Sequence, residues 1–565
     1  MKKSKSLLLL LTLVLAVGTL LSACGSNGGN GAANGGNNKA SDSGNSGEEK
    51  LAADQTLRLN AAADVPTFDP ALAQDNQAHL ALSLMYEGLA RLEGNKELPG
   101  VAEKWEVSDD GLTYTFHLRK DAKWSNGDAV TANDFLFAWE RVLNPNSKPA
   151  PPYAYQLYYI KNAEQYNKGE ITDFSQVGAK AVDDYTLQVE LNNPTPYFVN
   201  LTAFYTYFPV HSSVKGNDKW ATDPSTMITN GPFVLKSRVP GQSMEYVKND
   251  HYWAKDEIKL NTIKFTIVNS AATEVLSYKN GELDRAGMPN GNIPADQIPI
   301  LKQELPNELA LPSIANVYYY EFNTEAEPFT NAKIRKAFAM AISRQDLVDK
   351  ITLGGQIPAY GFVPPGMKGV NDEFRKEHSE PLFSENVEEA KKLLQEGMQE
   401  EGYTTLPEIT LIYNTDENHK KLATAIADMW KKNLGVDVKL ENQEWQVFLD
   451  NRTNGNFQIA RAGWVPDYND PMTFIDMWTT NSGNNKIRLK NEEYDKLVAD
   501  TYKEADNQKR MDNMARAEEI LIKEEMGVMP IYYYVQPSLT KPYLKGVTMD
   551  YSGAVYYDRA YLLEH

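Results

Sequence analysis

The segment ARAGWVPDYNDP, residues 460–471, sets a cation, Arg461, and an anion, Asp467, six positions apart on either side of the indole of Trp464. Pro466 cannot donate to a sheet ladder and so ends whatever strand leads into it. Upstream stand Arg452 and His419. Asp416 or Asn418 is suited to cap a helix beginning near His419, where amide N–H groups and the helix dipole favour an anion. A ligand with an ammonium at one end and a carboxylate at the other would find a partner for each. A plainer reading fits the same residues: Arg461 pairs with Asp467, and His419 is a solvated cap of the kind that contributes little. Spacing alone leaves both open.

Signatures of catalysis are missing. None of the seven His opens an HExxH, there is no GxSxG elbow, and no Gly-Lys pair marks a phosphate loop. SDDG, 108–111, is too short for a calcium hand and reads as a β-turn. The acids are too numerous for any pair to stand out as a glycosidase dyad. Cys24 is the only cysteine, which excludes an intramolecular disulfide and a multi-thiolate metal site. With the His scattered as well, neither a metal nor a cofactor is expected.

The N-terminus is a processing segment. Lys2, Lys3 and Lys5 precede an apolar run from Leu7 to Leu21, and small residues lead up to Cys24. This is a secretory signal, residues 1–23, too short for a permanent span. Cys at the cut resembles the bacterial lipobox, whose thiol is acylated and becomes the first residue. Residues 24–50, rich in Gly, Asn and Ser, cannot bury a core and read as a flexible tether. Cleavage before Cys24 leaves 542 of 565 residues and takes the formal net charge from −19 to −22. That length suits about three to four domain-sized units. Such acidity argues against nucleic acid and against flat docking on anionic lipid. Thirty-one Tyr and nine Trp suit large, wet binding cavities, though packing accounts for most of them.

Strands and helices alternate along the body, so the class is α/β or α+β. Tyr114, Phe116 and Leu118 alternate with Thr113, Thr115 and His117 as a half-buried strand. Asn126-Gly127 turns the chain, and Thr131 caps a helix carrying Phe135, Leu136, Trp139 and Val142. Residues 229–249 read as a hairpin bent at VPGQ. Ile334, Phe338, Ala341 and Ile342 share one helical face, as do Leu422, Ile426, Met429 and Trp430. Gly435 ends the second helix, a strand follows through Val438 and Leu440, and NFQIARAGW is another strand.

Three long stretches carry a resemblance: VAEKWEVSDDGLTYTFHLRKDAKWSNGDAVTANDFLFAWERVLNP, YNTDENHKKLATAIADMWKKNLGVDVKLENQEWQVFLDNR and ARAGWVPDYNDP. They resemble the extracellular oligopeptide-binding proteins of ATP-driven peptide importers (family 5 solute-binding proteins), collinearly from about Leu51 to His565. The resemblance implies an α/β, two-lobed, periplasmic-binding-protein-like clamp with an extra inserted domain. Domain I would comprise 51–88, 213–315 and 536–565, domain II 89–212, and domain III 316–535. It implies no enzyme but a lipid-anchored, monomeric receptor on the extracytoplasmic face of the cell membrane. That receptor holds short peptides extended between its lobes and delivers them to permease subunits. Asp467 matches the carboxylate that holds the peptide ammonium, and Gly463, Trp464 and Val465 match the strand beside the peptide. Gln74, Asp75 and Asn76 align with the facing segment. Tyr153, Trp445, Asn484, Tyr534 and, within 318–320, Tyr319 and Tyr320 match pocket-lining positions. Arg452, Arg461 and His419 match positions meeting peptide carboxylates. Two departures stand out: Val465 and Asn316 replace cysteines found in some relatives, and GMPNGNIP, 287–294, lacks an aromatic-Asn run. Alternatives are the same fold holding a signalling peptide, haem or nickel chelate, an extracytoplasmic chaperone or co-receptor, and a hydrolase using acidic residues.

Overall fold

Most of the period-two stretches become strands of three large sheets. The computed structural model describes residues 50–565 apart from Gln74 and Asp218. Cys24, the signal, nearly all of the tether, Gln74 and the side chain of Trp445 therefore lie outside the described residues. Lys50–His565 is one compact unit.

The first sheet has seven strands in the order Leu309–Ala310, Ser538–Thr540, Arg285–Gly287, Thr56–Ala61, Thr262–Ile267, Ser243–Lys248 and Phe233–Val239. The last two form the hairpin read from the sequence, bent at Pro240 and Gly241. A four-stranded antiparallel sheet comes from one contiguous region, with Ala102–Val107, Thr113–Leu118, Thr186–Glu190 and Ala179–Asp183 in that order. Tyr114, Phe116 and Leu118 are its buried face. Helix Ala132–Leu143 follows, and the Asp134 carboxylate accepts both the N–H and the hydroxyl of Thr131 at the helix start.

The third sheet has six strands: Ile357–Pro358, Val528–Val535, Ser313–Phe322, Ile459–Trp464, Ile409–Asn414 and Val438–Gln443. Its last three are mutually parallel. Helix Glu417–Leu434 joins two of them; Asp416 caps its start, and Gly435 ends it with φ near +74°, a conformation that costs glycine little. Trp430 on its inner face is fully buried against Phe338, with 5.0 Å between ring centroids, and its indole N–H donates to the Phe338 carbonyl. Removing such a side chain typically costs about 3–5 kcal/mol.

One helical reading is corrected. The apolar period from Ile334 to Ile342 runs past the true helix, Ala332–Met340. Ser343 starts a new helical segment by accepting the N–H of Asp346, so the chain changes axis while its hydrophobic spacing continues.

The chain passes between the seven- and six-stranded sheets twice, at 311–312 and 536–537. These crossings lie side by side: Ser313 pairs with Val535, and the Gln536 N–H donates to the Pro312 carbonyl at 2.9 Å. Among the described residues no helix is long and apolar enough to cross a membrane, and no group of His, Cys, Asp and Glu is arranged to hold a metal ion.

Candidate functional site

Strand Ile459–Trp464 pairs along its length with Ser313–Phe322, from Ile459 opposite Phe322 to Trp464 opposite Val317. On its other edge, pairing with Ile409–Asn414 stops at Ala460. The neighbour itself ends at Asn414, level with Ala462, so Gly463 to Val465 run past it with one backbone edge open. Gly463 is exposed, and Val465 is 57 % exposed although apolar. An edge of unpaired N–H and C=O groups is a template for an added strand.

Pro466 ends the strand and a pinned turn follows. The buried hydroxyl of Thr473 accepts both the Asp467 N–H at 3.2 Å and the Trp464 indole N–H at 3.3 Å. Asp470 holds the next turn by accepting the Met472 N–H and pairing with buried Arg510. Tyr468 stacks on Tyr197 with centroids 4.0 Å apart. Asp467 is an exposed residue by surface area, yet the protein crowded around its carboxylate pushes its pKa up to about 6. Behind it Asp476, which accepts from Tyr502, is likewise pushed up to about 6 by burial, with the charges of Asp467 and Asp470 adding to the push.

Arg461 does not pair with Asp467, and among the described residues neither has a counter-ion. The guanidinium lies 4.7 Å from the centroid of the Tyr318 ring and donates weakly to the Tyr534 hydroxyl at 3.5 Å, while its Nε has no acceptor. Tyr318 in turn stacks on Tyr532 and meets His419 Nδ1 at 3.2 Å. Burial and the adjacent Arg461 charge push the His419 pKa down to about 4, so its ring is neutral near pH 7. A cation seated on aromatic faces without a carboxylate is prepared for an incoming anion.

A cavity of about 290 Å³ adjoins Asp467. Val465 and Asp467 line it from the six-stranded sheet, Tyr153 from the four-stranded region, and Asp75 and Asn76 from the start of helix Asn76–Met85. The structure thus brings Asp467, Val465, Tyr153 and Asn76 to one cavity. Burial and the Asp467 charge hold the Tyr153 phenol above its usual range. Arg461, His419 and Tyr534 form the second cluster, along the same strand.

Other expected positions fall elsewhere. Arg452 makes a bidentate ion pair with the fully buried Glu321, at 2.8 and 2.6 Å, so that face of its guanidinium is already occupied. Tyr319 and Tyr320 are corrected as pocket-lining residues. Tyr319 is core, edge-on to Phe362 and Trp478, and Tyr320 is fully buried. Both faces of a central strand are covered, so neither ring reaches the cavity. Asn484 sits on an exposed loop outside the cavity wall. Trp445 begins helix Trp445–Asn454. Sequence reasoning missed His79, Gln156, Phe204, Tyr205, Asp550 and Tyr551, which also line the cavity; they are scattered over several hundred positions and share no motif.

The pattern of the bacterial extracellular solute-binding proteins, family 5 Middle, matches residues 97–486. The chain is 43% identical over 569 residues to the oligopeptide-binding protein OppA of Bacillus subtilis, covering 99% of this chain and 100% of the relative. It is 39% identical to the periplasmic oligopeptide-binding protein OppA of Salmonella typhimurium, covering 91% and 94%. Among solved structures, the unliganded open form of the murein tripeptide-binding protein MppA superposes with a TM-score of 0.79 at 35% identity, covering 92% and 99%. Haemophilus influenzae OppA in complex with the peptide RPPGFSPFR gives 0.69 at 36% identity, covering 91% and 100%. The fold is accordingly the α/β, two-lobed clamp of periplasmic binding proteins, and the chain belongs to the bacterial extracellular solute-binding proteins of family 5.

Proposed function

We propose that this protein is an extracytoplasmic receptor that binds short oligopeptides in extended form between its lobes and delivers them to the permease of an ABC importer. One observation carries the reading: the open backbone edge at 463–465 lies between a cation and an anion that, among the described residues, both lack counter-ions. Backbone pairing supplies affinity that any peptide can use, which suits a receptor of many sequences. In this reading Asp467 holds the α-ammonium, Gly463, Trp464 and Val465 pair with the peptide backbone, and Arg461 with His419 meets the carboxylate end. Asn76 faces the peptide from the opposite lobe. Arg452 supports the strand from beneath through Glu321.

The seven-stranded sheet is the core of discontinuous domain I, the four-stranded sheet that of domain II, and the six-stranded sheet that of domain III. The paired crossings at 311–312 and 536–537 act as the hinge. Greater likeness to an unliganded open form than to a peptide complex supports closure on binding. Cys24 carries a lipid that tethers the receptor to the outer face of the membrane through residues 24–50. The protein is a monomer and performs no catalysis.

Mass spectrometry of the denatured, purified protein tests the reading. It should release a mixture of short peptides. A single non-peptide compound, or no bound peptide together with no calorimetric response to trialanine, overturns it.

A further inference from the structure

We infer that region 89–212 holds the amino-end anchor of the receptor in place: Tyr197 and Asn200 are positioning residues that fix the turn carrying Asp467 by gripping its next two residues, Tyr468 and Asn469. The inference rests on the peptide reading above, because it concerns the carboxylate which that reading gives to the peptide ammonium.

Among the described residues no donor meets the Asp467 carboxylate, so its place is set by the backbone of its turn. The six-stranded side secures that turn at two points: Thr473 takes the Asp467 N–H, and Arg510 pairs with Asp470. Residues 468 and 469 lie between these points, and region 89–212 takes hold of both. Tyr197 stands just before the short helix Phe198–Leu201, and a spacing of three puts Tyr197 and Asn200 on one face. The rings of Tyr197 and Tyr468 stack almost parallel, 4.0 Å and 3° apart. Tyr159 stands edge-on to both, at 5.7 and 6.2 Å. Asn200 Oδ1 accepts the buried N–H of Asn469, 269 positions later, at 3.4 Å. Without that acceptor a buried donor would be left unpaired, a cost that favours movement of the turn.

Asn200 also ties the turn to the rest of the chain. Its Oδ1 accepts the Tyr551 hydroxyl at 3.3 Å, and its Nδ2 donates to Glu97 at 3.3 Å. The Glu97 carboxylate lies 3.2 Å from Lys368 Nζ, and the Lys368 N–H donates to the Asn469 side chain at 2.9 Å. Close by, Asn95 Nδ2 donates to the Gly366 carbonyl at 3.1 Å. Region 89–212 therefore reaches the turn twice, directly at 468 and 469 and again through 366–368. One amide thus joins three parts of the chain within two residues of the anchor. A binding group is only as effective as the shell that fixes it, and a site left about 1 Å too loose loses its function. An exposed carboxylate with no donor of its own depends on such a shell more than a bonded one does.

Calorimetry of trialanine against N-acetylated trialanine is the test, because the ratio of the two affinities reports the ammonium contact and not the rest of the peptide. In the native protein that ratio should be on the order of 10²–10³. Asn200→Leu and Tyr197→Leu, made singly so that either alone decides, should each cut it about tenfold or more, as coupling between residues in contact allows. Tyr197→Phe keeps the stacked face and should hold the ratio within about twofold of native. Leu143→Ala hollows the core of the same region at a position that supplies no partner to the turn, so it should lower the melting temperature and leave the ratio unchanged. Without peptide, hydrogen exchange at residues 467–470 should be faster in both Leu variants than in the native protein. If the ratio in the Leu variants stays within about twofold of native, or Leu143→Ala cuts it as deeply as they do, the inference is overturned and peptide binding stands. If trialanine does not bind, or acetylation costs the native protein nothing, the reading of Asp467 fails and the inference fails with it.

Discussion

Asp467→Ala probes the amino-terminal anchor most directly. Among the described residues the Asp467 carboxylate has no counter-ion, and burial pushes its pKa up to about 6. An ammonium at about 3 Å gains roughly 5 kcal/mol of Coulomb energy at an effective dielectric of about 20, before desolvation is charged against it. Removing one partner of such a pair in a closed cleft typically costs about 3–5 kcal/mol. The variant should therefore bind trialanine on the order of 10²–10³-fold more weakly, at about 1.4 kcal/mol per decade. N-acetylated trialanine should bind the native protein with a similar loss, and the variant should barely distinguish the two ligands. The four affinities form a cycle whose coupling isolates the ammonium contact. The pH profile follows with a definite sign. Because the free carboxylate takes up a proton near pH 6 and the peptide-bound one resists it, affinity should be flat above about pH 7 and fall about tenfold per unit below pH 6. His419, pushed down to about 4, stays neutral through that window. A loss below tenfold in the variant, or acetylation that costs the native protein nothing, would refute the assignment of Asp467.

Further outcomes follow from the same geometry. Arg461→Met should weaken peptides selectively by length, most for those whose carboxylate reaches the tyrosine cluster, as a calorimetric series from two to six residues would show. Arg452→Met should instead destabilise the fold by about 3–5 kcal/mol, because Glu321 is left buried and unpaired, and chemical denaturation measures this directly. Saturating peptide should reduce the radius of gyration in solution scattering, and an unchanged profile would exclude lobe closure. Cys24→Ala should move the protein out of the membrane fraction of producing cells without changing peptide affinity.

Local order was legible in the sequence. The strand ending at Trp464, the break at Pro466 and the helix between Asp416 and Gly435 each depend on neighbours a few positions away. The cavity was not legible, because Asp75, Gln156, Asn316 and Asp550 converge through sheet order that no local pattern encodes. Tyr319 and Tyr320 show a second limit. Alternation tells that they point to opposite faces, but not that both faces of a central strand are covered. Arg452 shows a third: the partner that engages it, Glu321, lies 131 positions earlier.

The order in which strands enter the sheets also bears on how the chain is made. Ser538–Thr540 sits between Leu309–Ala310 and Arg285–Gly287, so the seven-stranded sheet stays interrupted until the last thirty or so residues have been synthesised. Val528–Val535 lies inside the six-stranded sheet, and Gln55 donates to and accepts from the backbone of Leu562, 507 positions away. Such late, non-local closure is slow. Two of the three large sheets therefore close only after position 528, whereas the four-stranded sheet, built from residues 102–190, can form long before, so the region 89–212 folds first and the two lobes it serves are completed together at the end.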